Sequence, residues 1–306
     1  MPPLRLYVDP GNSKHDPIHM PDRPTRITAC LSAIESARIG HELIEPRAAS
    51  TEELGRVHHP GYLGKLEQVC ARGGGLLDPD TPAGPDSFVI AIRAAGACCS
   101  AVGAALDKGV RSFCLIRPPG HHATAAQAMG FCLINNVAVG ARHAIARGAS
   151  KVAVVDFDVH HGNGTQEIFW EDPTVLYVSI HQWPWYPWAT GSADETGSGP
   201  GRGTNLNVPL DAGSGDEAHL EAIRSRVAPA VRRFGPDMLL VSGGFDAHLD
   251  DPLSDQRVTA KGFGEISTEL VGLAGEVCEG RLMMALEGGY NPDALSESVV
   301  ETLRAF

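Results

Sequence analysis

The sequence predicts an α/β protein in which a mostly parallel central sheet is covered by helices on both faces, giving three layers. Three observations carry this reading. Short apolar runs recur along the chain and end in polar or glycine-rich residues, as buried parallel strands do. Longer stretches of helical character lie between them, so strand and helix alternate. Nearly every unusual polar cluster follows one of the runs directly, where ligands bind in open α/β sheets.

Taken in order, Leu4 to Val8 reads as the first strand, and Pro24 to Ile39 and Ser87 to Leu106 read as helices. Phe113 to Ile116 is the next strand, Phe131 to Ala146 a helix, and Val152 to Asp156 and Val175 to Ile180 are strands. Gln182 to Asn205, rich in Gly, Pro and Trp, is the one long loop-like region, and a loop of that size is more often a site wall than a linker. Asp216 to Phe234 is helical, Met238 to Ser242 a strand, Thr259 to Cys278 a helix and Leu282 to Leu286 the last strand.

A chain of 306 residues buries a large core, and one domain over 1–306 is expected. The formal net charge of −12 disfavours nucleic acid but tolerates a cationic substrate such as a polyamine or a Lys-rich tail. No run of 18 consecutive apolar residues and no secretory signal are found, so a cytoplasmic, non-membrane protein is expected. Seven cysteines without a Cys-x-x-Cys pair argue against a disulfide framework or a cysteine-built zinc site, and read as reduced core residues.

Four polar clusters follow strands: Arg117 to His122, Asp156 to Gly164, Ser242 to His248, and Glu287 to Asn291. Asp156, Asp158 and His160 alternate with Phe157 and Val159, so an extended chain points all three the same way. With Asp246 from another strand end, Asp158 and His160 make a divalent-metal site that keeps a coordination position open for water, as catalytic zinc requires. Iron, manganese or cobalt would also suit these donors. Read singly, each residue is an ordinary strand-end cap. Read together, two Asp and a His buried without a cation would cost several kcal/mol. Asp156 is also suited to bond a histidine or a monovalent cation. His161 and His248 are expected to be structural.

The adjacent His121 and His122 follow a Pro-Pro-Gly turn, with Asp156 and Asn163 as plausible acceptors for their outer nitrogens. One carboxylate and one neutral amide would give the two imidazoles different basicity and divide general-base from electrostatic work. Tyr290, after two glycines, is placed to aim its phenol at a developing oxyanion. Its ordinary alternative is a packed aromatic.

These stretches resemble the zinc-dependent histone deacetylase family, and within it the class II-like bacterial amidohydrolases. The matching segments are Arg-Pro-Pro-Gly-His-His-Ala (117–123), Gly-Phe-Cys-Leu-Ile-Asn-Asn-Val-Ala (130–138), Val-Asp-Phe-Asp-Val-His-His-Gly-Asn-Gly-Thr-Gln (155–166), Gly-Gly-Phe-Asp-Ala-His (243–248) and Leu-Glu-Gly-Gly-Tyr (286–290). The resemblance implies the arginase/deacetylase fold and zinc on Asp158, His160 and Asp246. It also implies His122 as general base and then general acid, His121 paired to Asp156, and Tyr290 polarising the substrate carbonyl. Asn163 replaces an Asp of some relatives. A potassium ion is implied on Asp156 and Ser179 with backbone oxygens around Asp158, His160 and Ile180. Gly130, Phe131 and Tyr186 are expected as tunnel walls, with an ordinary core role nearly as good for Tyr186.

Two segments depart from the family. His-Pro-Glu-Arg-Pro reads Met20-Pro21-Asp22-Arg23-Pro24, and Tyr-Pro-Gly-Thr-Gly reads Tyr186-Pro187-Trp188-Ala189-Thr190-Gly191. Trp183, Trp185 and Trp188 either narrow the pocket mouth or pack against a neighbouring subunit in a homo-oligomer. In the polyamine-specific branch a Glu follows the Asp-Pro after the last zinc ligand, whereas Asp251-Pro252 is followed here by Leu253. An apolar gatekeeper favours acyl-lysine of proteins or peptides over acetylated polyamines. Two further readings are a non-catalytic acyl-lysine binder, and an arginase-like dimanganese ureohydrolase, which would need additional ligands.

Overall fold

The computed structural model describes residues 3–17 and 20–306. From the N-terminus, β1 (Leu4–Tyr7), α1 (Thr25–Ser36) and β2 (His41–Ile44) are followed by α2 (Thr51–Gly55) and α3 (Pro60–Ala71). A small antiparallel hairpin, β3 (Gly75–Asp78) and β4 (Thr81–Ala83), leads into α4 (Ser87–Lys108), β5 (Ser112–Cys114), α5 (Asn136–Ala146) and β6 (Val152–Asp156). Next come α6 (Asn163–Phe169), β7 (Val175–Gln182), β8 (Asn205–Leu210) and α7 (Asp216–Ala222). A π-helical turn, Ile223–Val227, then runs into α8 (Ala228–Phe234). β9 (Met238–Gly243), α9 (Ala260–Val277), β10 (Leu282–Leu286) and α10 (Pro292–Leu303) complete the chain.

The main sheet has eight strands in the order β2-β1-β5-β10-β9-β6-β7-β8, and every neighbouring pair is parallel. Strand alternation splits the apolar residues between two cores. Ala153 and Val155 of β6 face a core shared with α1, α9 and α10, while Val152 and Val154 face one shared with α3, α4 and α5. The three layers anticipated from the sequence are therefore present. The topology also has a consequence for function: β5, β10, β9, β6 and β7 are consecutive in the sheet, so the loops leaving their carboxyl ends converge.

Several expectations need correction. The helix read from Phe131 starts at Asn136, because Asn135 is the residue whose side chain caps it, accepting from Ala138 N at 3.0 Å. Phe131 instead has a left-handed backbone, with φ at 67°. The 216–234 helix is interrupted by the π-helical turn. α4 is long and apolar enough by composition to cross a membrane, but 67% of its apolar window is buried, as in a core helix. The strands β2 and β8, the β3–β4 hairpin, and the helices α2, α3, α6 and α10 lie outside the runs read from the sequence. β2 is a half-exposed edge strand and β8 an edge strand carrying Pro209, so neither presents the continuous apolar run of a buried strand. All seven cysteines are buried and unpaired.

Candidate active site

The end of β6 is held by its own aspartates. Asp156 Oδ1 accepts Asp158 N at 3.1 Å, and Asp158 Oδ1 accepts His160 N at 2.9 Å. Two successive side-chain turns of this kind keep residues 156, 158 and 160 on one side of the chain after the strand has ended. The remaining carboxylate oxygens are then sorted by backbone donors. Asp158 Oδ2 accepts Gly288 N at 2.8 Å, and Asp246 Oδ1 accepts Val159 N at 3.0 Å. The side chains then converge: Asp158 Oδ1, which also accepts His160 N, and Asp246 Oδ2 lie 3.2 and 3.0 Å from His160 Nδ1. Gly288 is required for this approach, since a Cβ there would stand 2.0 Å from Asp246 Oδ2.

The donor set fits a divalent cation. Its three ligand atoms lie within 4.8 Å of one another and all three residues are buried. Burial, and then the neighbouring Asp158 carboxylate, push the Asp246 carboxyl up to about 7. Two carboxylates this close resist ionising together unless a cation joins them.

His121 and His122 stack at 4.0 Å between ring centroids but have different partners. His121 Nδ1 donates to Asp156 Oδ2 at 3.0 Å, and that oxygen also accepts Tyr177 Oη at 3.0 Å. Burial alone would lower the pKa of His121, yet the Asp158 and Asp156 carboxylates raise it to about 10. His122 Nδ1 donates to Asn163 Oδ1 at 2.8 Å, while Asn163 Nδ2 points to Met129 Sδ at 3.5 Å. Burial, and then the charges of His121 and His160, hold His122 well below the usual histidine range. The surroundings thus push the two in opposite directions, His121 toward its protonated form and His122 toward its neutral one.

A cavity of about 290 Å³ opens above these residues, reached by His122, His160 and Tyr290 and walled by Gly130, Phe131, Tyr186 and Leu253. Phe131 and Tyr290 meet edge to face at 5.7 Å, and Tyr186 packs edge-on against His122 at 5.2 Å. Tyr186 therefore serves as a wall rather than as core. Gly130 has a positive φ of 56°, and a Cβ on it would stand 2.3 Å from His122 Cδ2. Trp185 and the 66%-exposed Trp188 stand at the mouth, whereas Trp183 does not line the cavity and packs near His181. Burial and the carboxylates of Asp246 and Asp158 hold the Tyr290 phenol well above its usual range, despite the Arg26 guanidinium nearby, so it remains a donor.

Neither His161 nor His248 lines the cavity. His161 bonds Thr190 Oγ1 and Gln166 Oε1, and His248 Nδ1 accepts Asp250 N. Four residues that have no assigned role in the sequence support the site. Asp80, on the hairpin turn, lines the cavity and accepts Gly130 N at 3.2 Å. Asp251 accepts Tyr290 N at 2.6 Å and Leu253 N at 3.0 Å, tying the tyrosine to the gatekeeper. Glu287 accepts Gly120 N at 2.6 Å and His121 N at 3.2 Å, which fixes the histidine turn. Asp22 lies in the divergent Met-Pro-Asp-Arg-Pro segment. Its Oδ1 accepts Arg26 Nη1 at 2.7 Å and Arg117 Nε at 2.9 Å, and Arg26 in turn donates to Gly289 O at 2.6 Å. Asp22 thus anchors a buried ion network beneath the Tyr290 loop.

Residues 20–306 match the histone deacetylase domain. The chain is 39% identical over 287 residues to a probable deacetylase of Archaeoglobus fulgidus, spanning 91% of this chain and 79% of that protein. It is 42% identical over 245 residues to a histone deacetylase-like amidohydrolase of Pseudomonas aeruginosa, spanning 79% and 64% respectively. It aligns with the crystal structure of the HDA15 HD domain at a TM-score of 0.95 and 36% identity, covering 99% of this chain and 89% of that one. The eight-stranded sheet is accordingly the arginase/deacetylase fold, and the chain belongs to the histone deacetylase family.

Proposed function

We propose that this protein is a zinc-dependent amide hydrolase that removes acetyl or other acyl groups from lysine side chains of proteins or peptides. One observation carries the reading: the Asp158, His160 and Asp246 donors converge, and His160 brings them to a cavity that also holds His122 and Tyr290. Lewis-acid polarisation of an amide carbonyl and acidification of water are the chemistry a divalent ion in this donor set supplies when bound.

The protein's own groups do the rest. Because His122 Nδ1–H donates to the Asn163 amide oxygen, Nε2 carries the lone pair and takes the proton from attacking water. The same nitrogen then delivers that proton to the departing amine. Tyr290 Oη donates to the carbonyl oxygen as it gains negative charge, and the protonated His121 adds fixed positive charge close by. Phe131 and Tyr186 admit a slender aliphatic arm and keep water from its length. A potassium ion on Asp156 and Ser179 with the Ile180 backbone oxygen belongs to the same proposal, supported by the β6–β7 register that sets Asp156 beside Ser179.

Acetate release from an acetyl-lysine peptide by zinc-loaded protein tests the reading, with Tyr290→Phe and His122→Ala as controls. Unchanged turnover in either variant would defeat the mechanism. An acetylated polyamine is the second reading, favoured by the Asp80 carboxylate at the cavity, which would suit a distal ammonium. Asp80→Asn separates the two, since it would depress polyamine turnover selectively if that carboxylate meets a substrate cation.

A further inference from the structure

Away from the active site, Glu53 of α2, Cys99 of α4 and His143 of α5 bring a carboxylate oxygen, a thiol sulfur and an imidazole nitrogen within 4.8 Å of one another. We propose that these three side chains form a second metal site, for a borderline divalent cation of the zinc class, independent of the Asp158–His160–Asp246 set.

The point that demands explanation is His143. Its Nδ1 atom is buried and has no hydrogen-bond partner, although Glu53 Oε1 is only 3.1 Å away. The two atoms are close but not aligned as donor and acceptor. Ligands that share an ion are arranged in this way, whereas an unpartnered buried nitrogen is otherwise costly. Glu53 and Cys99 have ordinary explanations taken singly. Glu53 completes the capping box of α2 and pairs with Arg47 at 2.6 Å, and Cys99 is a small core residue. Neither role accounts for both of them meeting the orphaned imidazole.

The surroundings permit a cation. A cavity of about 300 Å³ reaches Glu53 and His143 from solvent, giving an entry path and room for water to complete the coordination shell. Arg47, Arg56 and Arg147 line it, but each is matched by a carboxylate, Glu53, Glu52 and Asp107 respectively. His143 stands in the last turn of α5, where the helix carbonyl end favours positive charge. Burial and the Glu53 carboxylate push the Cys99 thiol far up, so it carries its proton until a metal ion displaces it. Binding therefore exchanges one proton for the metal–sulfur bond. The thiolate and the Glu53 carboxylate, which Arg47 also engages through both of its oxygens, are the anionic donors, and the sulfur selects a softer metal than magnesium or calcium. The site lies about two turns along α5 from the end that faces the catalytic loops, so it would act on the helical layer rather than on substrate.

The experiment is metal counting on the full-length protein dialysed against zinc or cobalt. Wild type should hold two equivalents, and Cys99→Ala and His143→Gln should each hold one while still releasing acetate. Asp246→Asn should lose the other equivalent alone, so failure of this site and failure of the catalytic one are told apart. Cobalt-loaded wild type and Asp246→Asn should show thiolate-to-cobalt charge-transfer absorption that Cys99→Ala lacks. Because His143 is at the cavity rim, His143→Gln keeps the test informative if the buried Cys99→Ala folds poorly. A single equivalent in wild type, no charge-transfer absorption, or a second equivalent retained in both variants overturns the proposal.

Discussion

His122 Nδ1 lies 2.8 Å from Asn163 Oδ1, whereas the neighbouring His121 gives its Nδ1 to the Asp156 carboxylate at 3.0 Å. A neutral amide fixes the tautomer of His122 without strengthening it as a base. Asn163→Asp should therefore raise the His122 pKa by roughly 1 unit or more, as an opposite charge within hydrogen-bond reach does. A raised pKa means the neutral base appears only at higher pH. The acid limb of the kcat/KM profile should move toward alkaline pH, and a profile that does not move would show that His122 is not the titrating base.

Tyr290 is held over the cavity by Asp251 through its backbone and by Arg26, whose guanidinium lies 5.0 Å from the ring centroid. Tyr290→Phe removes only the hydroxyl and leaves this support in place. We expect kcat to fall about 10²–10³-fold with little change in KM, the loss typical of one oxyanion donor. A fall confined to KM would assign the tyrosine to binding instead.

Removal of metal should abolish hydrolysis and lower the melting temperature, both restored by zinc. A ligand bound only to the folded state stabilises by about 2.7 kcal/mol at a hundred times its Kd. Asp246→Asn should lose that part of the thermal response contributed by the catalytic set. Protein whose activity ignores both chelator and added zinc would contradict the assignment.

The parts of this site that were legible in sequence are those carried on contiguous strings. β6 and β10 have the bounds that their apolar runs suggest, and Asp156, Asp158 and His160 come together as their spacing suggests, although side-chain turns rather than a continued extended strand hold them. Partners distant in sequence were hidden. Asp80 sits in a proline-rich turn that reads as loop, and meets Gly130 only because the hairpin folds under it. Asp22 and Arg117 are 95 residues apart, and nothing local marks them as a pair. Phe131 misled for a different reason: its apolar side chain fits a helical period, but tertiary contacts hold it left-handed, with Thr81 Oγ1 accepting its N–H at 3.1 Å.

Asp22 is fully buried between Arg26 and Arg117. Burial opposes its charge, but Arg117, His15 and Arg26 outweigh that and hold its carboxyl well below the usual range. Its stabilising contribution is present above the ordinary carboxylate pKa near 4 and is lost only as pH falls through the lower folded value. Asp22→Ala strands two buried guanidiniums and should cost about 3–5 kcal/mol in urea unfolding at neutral pH. A loss below about 1 kcal/mol would mean that the arginines find other partners.

Leu253 tests substrate choice at the cavity mouth, because its backbone oxygen accepts Trp185 Nε1 at 3.1 Å and its amide is fixed by Asp251, so its side chain can be exchanged without releasing the loop. Leu253→Glu places a carboxylate at the rim on the same cavity as Asp80. A distal ammonium meeting it in a partly solvated setting gains up to about 1 kcal/mol. The kcat/KM ratio of acetylated polyamine to acetyl-lysine peptide should rise several-fold, and the gain should shrink as salt is added. An unchanged ratio would place the distal end of the substrate away from Leu253.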